Sequence, residues 1–161
     1  IEREDIKRMF EMKPIHIGVL VKDIEKAMKY YNETFQIGPW QDFGELQENA
    51  LYYGKPHKLC YRAAMAPFGN LELELIQPTQ EGSVFADDLK AKGEGMHHVC
   101  IEVEDIEKTI EECKQMGFDI VDYVPMYEME PGFSLGFIFI NSDKVGGMKL
   151  ELVQQVFGKK E

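Results

Sequence analysis

The chain has 161 residues, a length typical of one compact domain or of two small halves that share a core. Its 18 basic and 29 acidic residues give a net charge of −11, which would repel a phosphate backbone and argues against a nucleic-acid partner. Apolar residues make up 44% of the chain but form no run long enough to span a bilayer, so we expect no membrane partner.

The N-terminal residues mix charges and lack the apolar stretch of a secretory signal, so we expect a cytoplasmic location. Residues 1–12 are expected to form an N-terminal extension that contains an additional helix. The three cysteines, Cys60, Cys100 and Cys113, are odd in number and have no C-x-x-C spacing. We therefore predict reduced thiols in or near the core, and neither a disulfide framework nor a cysteine-based zinc site.

An internal repeat is the strongest feature of organisation. The segment HIGVLVKDIEK at residues 16–26 matches HVCIEVEDIEK at residues 98–108, and ELIQ at 74–77 matches ELVQ at 151–154. Each first segment reads as a strand followed by a helix, because an aspartate suited to N-capping precedes the helical pattern. The helices are predicted over residues 24–35 and 106–116, with apolar positions spaced for one buried face.

The remaining strands follow from alternating apolar patterns. They are predicted at residues 40–46, 57–66 and 71–76 in the first half, and at 120–127, 134–140 and 148–153 in the second. The stretch 41–58 contains Gly44, Gly54 and Pro56, so we expect it to break regular structure as a substrate-facing insertion. The predicted fold is α+β, with two tandem βαβββ modules at residues 13–80 and 96–155 joined by a linker helix at 81–95.

Four polar residues occupy repeat-related positions on these strands. His16 and His98 begin the first repeated segment, whereas Glu74 and Glu151 begin the second. Strand alternation places each of them opposite the apolar face, and a pseudo-twofold axis would bring one pair onto the other. Two imidazoles and two carboxylates suit a divalent ion such as Mn, Fe, Co, Ni or Zn. A metal site at His16, Glu74, His98 and Glu151 is therefore predicted.

Other polar residues on the same strands lack the support of the repeat. Glu72 shares a face with Glu74 and is its main rival, but only Glu74 aligns with Glu151. His97 is expected on the helix-covered side of its strand, as a structural histidine, and His57 has no repeat partner. Four aromatic residues of the first half are expected to pack in the core, with a substrate pocket as the alternative: Trp40, Tyr52, Tyr53 and Tyr61.

The motifs GMHHVCIEV at 95–103, ELIQP at 74–78 and GGMKLELVQ at 146–154 closely resemble those of methylmalonyl-CoA epimerases. Those enzymes belong to the vicinal oxygen chelate superfamily, with glyoxalase I, bleomycin resistance proteins and extradiol dioxygenases. The resemblance implies paired modules that curl into a cup around a divalent ion (Co, Mn, Ni or Zn) held by His16, Glu74, His98 and Glu151. It also implies a homodimer and a small-molecule substrate, either an acyl-CoA thioester or a hemithioacetal.

The same resemblance implies a reaction through a metal-chelated enolate, with Glu151 as both ligand and base. Glu72 and Tyr61 are the alternatives for the base. Epimerisation requires a second acid or base, and Arg62 stands where a glutamate is expected, in a position to meet a substrate carboxylate. The leading prediction is an epimerase, an isomerase acting on methylmalonyl-CoA or a related thioester. A lyase like glyoxalase I (lactoylglutathione lyase), which acts on a hemithioacetal, and a non-catalytic binding protein remain the alternatives, and an extradiol dioxygenase fits less well.

Overall fold

The computed structural model describes residues 13–158, so the extension predicted for residues 1–12 lies outside the described residues. Two copies of a strand, helix and three further strands follow one another, with a helix between them. This arrangement confirms the predicted fold. The elements are β1 (Pro14–Leu20), α1 (Ile24–Phe35), β2 (Gln41–Tyr52), β3 (Lys55–Phe68), β4 (Leu71–Pro78), α2 (Val84–Lys92), β5 (Gly95–Glu102), α3 (Ile106–Gln115), β6 (Ile120–Glu130), β7 (Phe133–Ile140) and β8 (Lys149–Phe157).

The repeated sequence motifs determine how helices α1 and α3 begin. Asp23 caps α1 and Asp105 caps α3, each accepting a hydrogen bond at 3.0 Å from a backbone N–H three residues later. The glutamine that ends each second motif adds a further cap: Gln77 Oε1 accepts from the backbone of Ile24, and Gln154 Oε1 does the same for Ile106, both at 2.9 Å. Each β4 or β8 strand is thus tied to the start of its own module's helix.

The eight strands close into a barrel in the order β1-β4-β3-β2-β6-β7-β8-β5. Within each module the first strand runs parallel to the last, and the other pairings are antiparallel. The modules meet along two antiparallel seams of unequal length. Strands β1 and β5 pair along most of their length, whereas β2 and β6 share two residue pairs. The β1–β5 seam therefore joins the modules most extensively, and it carries both repeated histidines.

The stretch 41–58 is regular structure, which contradicts the predicted insertion. Residues 41–68 form a long β2–β3 hairpin that turns at Tyr53 and Gly54, both of which have positive φ, at 47° and 75°. Gly44, with φ of 68°, lies at a register shift between β2 and β3. A glycine at a bulge or a tight turn allows the pairing to continue on either side, so these glycines shape the hairpin without ending it.

Three hydrophobic clusters form the core. One lies on the inner face of the barrel, where Phe85 of α2 packs among strand residues, so the linker helix covers part of the interior. The other two lie on the outer faces, under α1 and α3 respectively. Cys60, Cys100 and Cys113 are buried and unpaired, as predicted. None of the helices between residues 13 and 158 has the length and hydrophobicity that a bilayer crossing requires.

Candidate metal centre

The four predicted ligands meet on the inner face of the barrel beside the β1–β5 seam. His16 lies on β1, Glu74 on β4, His98 on β5 and Glu151 on β8, so each module contributes one histidine and one glutamate. Across the seam His16 pairs with Cys100, and Gly18 pairs with His98. These two pairs are related by the repeat offset, which is the register expected of a pseudo-twofold axis.

The geometry of the four side chains fits a divalent ion. One ligand atom from each lies within 4.8 Å of all the others. Nε2 of His16 is 3.1 Å from Nε2 of His98 and 3.0 Å from Oε2 of Glu151. Two ligands about 2.1 Å from one ion are separated by roughly 3.0 Å at a right angle and about 3.4 Å at the tetrahedral angle. The spacing therefore matches a coordination shell, and this donor set suits Mn, Co, Ni or Zn.

The four side chains are buried in a strongly coupled electrostatic cluster. His98 is 1% exposed and His16 8% exposed. Burial lowers the pKa of His16, but the charge of Glu74 and hydrogen bonds from the cluster outweigh burial and raise it. Burial raises the pKa of Glu151, whereas the charge of His98 and hydrogen bonds from both histidines bring it below its ordinary value. Without an ion, the carboxylates keep protons on the imidazoles, so binding of a cation must release protons.

His97 points into the barrel, contrary to the prediction that it faces the helix-covered side. Gly18 pairs with His98 and Val19 pairs with Met96, so His97 is an extra residue on β5. This bulge turns His97 to the same side as His98, where it packs against Phe85 and Phe139. Burial lowers the pKa of His97 to about 4, so the ring is neutral near pH 7.

A third glutamate, Glu48, also lies on the inner face, and it was not among the predicted site residues. It is 6% exposed and accepts hydrogen bonds from the hydroxyls of Tyr61 at 3.2 Å and Tyr127 at 2.6 Å. Burial raises its pKa to about 7, and the charges of Glu151 and Glu74 contribute to the rise. One feature of the sequence could have indicated it. Glu48 alternates along β2 with Leu46 and Ala50, which both belong to the inner cluster, so it occupies an apolar position of the strand.

The other polar residues that the sequence offered for the site lie apart from the four predicted ligands. Glu72 is exposed and lies outside the group of four predicted ligands, which we call the ligand group. Arg62 lies on the outer face of β3, with ion pairs to Glu25 at 3.0 Å and Asp42 at 3.2 Å, which contradicts its predicted place in the substrate site. Neighbouring residues of a strand face opposite sides, so Tyr61 points inward and Arg62 outward. His57 is bonded to Asp122 at 3.0 Å, away from the ligand group.

The other aromatic residues considered for a pocket are placed separately. Trp40 packs in the cluster under α1, as expected for a core residue. Tyr52 donates a hydrogen bond from its hydroxyl to Asp87 at 2.6 Å, and Tyr53 is exposed in the hairpin turn. Tyr61 points inward and donates a hydrogen bond to Glu48, whose raised pKa the charges of Glu151 and Glu74 help to maintain.

Comparison with known proteins gives a family match over most of the chain. Residues 15–137 match the family model of the glyoxalase/bleomycin resistance protein/dioxygenase superfamily. The mitochondrial methylmalonyl-CoA epimerase of Bos taurus is 30% identical over 144 residues, which cover 86% of this chain and 72% of that protein. An ethylmalonyl-CoA/methylmalonyl-CoA epimerase of Cereibacter sphaeroides is 30% identical over 63% of this chain and 69% of its own length.

Solved structures show the same fold. A single-substitution variant of the Streptomyces coelicolor methylmalonyl-CoA epimerase, in complex with 2-nitronate-propionyl-CoA, superposes with a TM-score of 0.62. The alignment covers 92% of this chain and 99% of that one, at 21% sequence identity. At this identity the superposition establishes the fold alone, a barrel of paired modules.

Proposed function

The chain belongs to the glyoxalase/bleomycin resistance protein/dioxygenase superfamily, the vicinal oxygen chelate group, and we propose that it is a metal-dependent epimerase of malonyl-type acyl-CoA thioesters. Relatives named epimerases of methylmalonyl-CoA and ethylmalonyl-CoA support an isomerase with this substrate class. The reaction would invert the carbon that lies between a thioester carbonyl and a carboxylate.

The observation that carries the proposal is a pair of inward-facing glutamates with opposite protonation tendencies. The pKa of Glu48 is raised to about 7, mainly by burial, so this residue holds a proton to near-neutral pH. The pKa of Glu151 lies below its ordinary value, so this residue is a carboxylate. Inverting a carbon by proton transfer requires a base on one side and an acid on the other. Two carboxyl groups whose pKa values are pushed apart meet that requirement.

Each residue then has a definite role. His16, Glu74, His98 and Glu151 would hold a divalent ion, whose Lewis acidity would lower the pKa of a C–H bond beside the thioester carbonyl. Glu151 removes the proton from one face of the carbon, and Glu48 delivers a proton to the other face. The hydroxyls of Tyr61 and Tyr127 hold the Glu48 carboxyl in place and keep its pKa from rising further.

Deuterium exchange in heavy water tests the proposal. The protein, loaded in turn with Mn, Co, Ni or Zn, is incubated with one epimer of methylmalonyl-CoA or ethylmalonyl-CoA. We expect inversion, with deuterium at the inverted carbon detected by mass spectrometry. Glu48→Gln should still exchange deuterium into one epimer without inverting it, because Glu151 remains able to remove and return the proton on its own face.

Two outcomes would contradict the proposal. In the first, neither thioester takes up deuterium with any of the four ions bound, while the hemithioacetal of methylglyoxal and glutathione is converted. That result would favour the lyase alternative. Alternatively, Glu48→Gln inverts methylmalonyl-CoA at the wild-type rate, which removes Glu48 from the mechanism. The homodimer stays a prediction, and light scattering on the purified protein measures it directly.

A further inference from the structure

Behind the ligand His98 lies a buried chain of polar side chains that the proposed reaction does not use. Nδ1 of His98 is 2.8 Å from Nδ1 of His97, and Nε2 of His97 is 2.9 Å from Oδ2 of Asp88. Nζ of Lys149 is 2.9 Å from the same Asp88 oxygen. The chain therefore runs from β5 to α2 and on to β8, the strand that carries Glu151.

The positions of the protons along this chain of polar side chains follow from its two ends, His98 and the Asp88–Lys149 pair. A histidine that offers Nε2 to a cation carries its proton on Nδ1, so His98 donates from Nδ1. Nδ1 of His97 must then accept, which leaves the His97 proton on Nε2, where it is donated to Asp88. A carboxylate beside Lys149 is a strong acceptor at that position. One arrangement of protons thus satisfies every member of the chain, and in it His98 has Nε2 free for an ion.

The histidine and the lysine of this polar chain have no counterparts at the repeat-related positions of the first module, and Asp88 lies on the linker helix, so the polar chain is not a by-product of the repeated fold. The repeat offset that relates His98 to His16 relates His97 to Ile15, which has no polar side chain. The offset between the ELVQ and ELIQ motifs relates Lys149 to Glu72, which is exposed. Lys149 is 5% exposed, and burying an ammonium is costly even when it is paired. Stability alone is therefore a weak reason for this arrangement.

The bulge on β5 is what makes the contact possible. Regular pairing would place His97 on the outer face, away from Asp88 and from the ring of His98. With the extra residue, His97 lies against Phe85 and Phe139, which limit rotation of its ring. The backbone irregularity therefore serves to set one histidine directly behind another.

From these contacts we infer that His97, anchored by Asp88 and Lys149, is a positioning residue that fixes the tautomer and orientation of the ligand His98. The inference rests on the metal centre of the proposed function, but not on the reaction assigned to it. Outer partners that orient a metal-binding histidine typically change metal affinity by 10-fold to 100-fold when removed. Metal affinity is therefore the quantity to measure, with no need for turnover.

Three substitutions separate the two hydrogen bonds of His97. His97→Asn retains an acceptor near the position of Nδ1, whereas His97→Gln places its amide nearer Asp88. His97→Leu removes both bonds at similar volume. We expect Zn²⁺ and Co²⁺ dissociation constants about 10-fold to 100-fold weaker for His97→Leu, similarly weak for His97→Gln, and within a few-fold of wild type for His97→Asn. The Co²⁺ d–d absorption spectrum should change in His97→Leu and be largely restored in His97→Asn.

A matched control removes His57, a half-buried histidine that lies outside the group of four predicted ligands. His57→Leu breaks the pair with Asp122, so it should lower the melting temperature while leaving the metal dissociation constants unchanged. Wild-type affinity and an unchanged Co²⁺ spectrum in His97→Leu would overturn the inference. Equal weakening of metal affinity in His97→Asn and His97→Leu would overturn the role of Nδ1 of His97 as the acceptor for His98. A wild-type protein that binds neither ion would overturn the metal centre itself, and a metal-binding protein that fails to exchange deuterium would leave this inference standing.

Discussion

Replacing Gly18 by alanine should disable the metal centre through a single methyl group. A Cβ built at Gly18 would lie 2.1 Å from Cε1 of His98, and 2.5 Å from each ring nitrogen. Ordinary contact starts at 3.4 Å, so the His98 ring would have to retreat by about 1.3 Å. Phe139 packs against that ring, with 5.1 Å between centroids, and closely packed interiors leave little room for retreat.

The expected magnitude follows from the tolerance of metal coordination. Metal-ligand distances vary by about 0.2 Å, so a displacement above 1 Å removes His98 from the shell. We expect the dissociation constant for Zn²⁺ or Co²⁺ to weaken by about 100-fold or more, which corresponds to roughly 2.7 kcal/mol. Crowding in the interior should also lower the free energy of unfolding by about 1 to 3 kcal/mol.

Titration calorimetry of the chelator-stripped protein measures the affinity, and thermal denaturation measures the stability. Gly136→Ala is the matched control, since its Cβ would lie 2.8 Å from the backbone nitrogen of Met126, on a strand that supplies no ligand. It should lose stability and keep its metal affinity. If Gly18→Ala bound Zn²⁺ as tightly as wild type, the His98 ring would not occupy the position on which this reasoning depends.

Two further predictions concern the glutamates. Glu151→Gln should lower turnover by a further hundredfold to ten-thousandfold beyond its loss of metal occupancy, whereas Glu74→Gln should lose turnover only in step with occupancy, measured by elemental analysis. Equal, occupancy-matched losses would leave Glu151 as a ligand alone. Because the pKa of Glu48 is raised from 4.5 to about 7, its contribution to stability is present below pH 4.5 and lost as the pH rises through 7. Denaturant unfolding of the metal-free protein at pH 5 and pH 8 should therefore show a smaller decrease in Glu48→Gln than in wild type.

Much of the fold was predictable because the motifs of its strands and helices occur twice in the sequence. The matched segments predicted both helices with their aspartate caps, and the structure confirms them. Strand alternation and the repeat together selected Glu74 over Glu72, and the structure brings the former into the ligand group. The face on which a side chain lies was predictable where regular periodicity holds from the start of a strand to its end.

The failures lie where periodicity is interrupted or where distant strands meet. The extra residue on β5 reversed the face of His97, because alternation assumes that no residue is skipped in pairing. Gly44 and Gly54 were expected to break regular structure in the stretch 41–58, but their positive φ values place a bulge and a turn within a hairpin. The environment of Glu48 depends on Tyr127, 79 positions along the chain, so no local pattern reports its burial or raised pKa.

The close approach of Gly18 to His98 also has an evolutionary consequence. Two halves with matching motifs are what fusion of two copies of an ancestral half-length gene would leave, and such an ancestor would have assembled its site from two identical subunits. A symmetric pair of present-day second halves would place Cys100 where Gly18 now lies, and its Cβ would intrude on the space of the His98 ring. The halves have therefore diverged at this pair of positions, because a glycine leaves room for the ring of His98 whereas a cysteine lies across from His16.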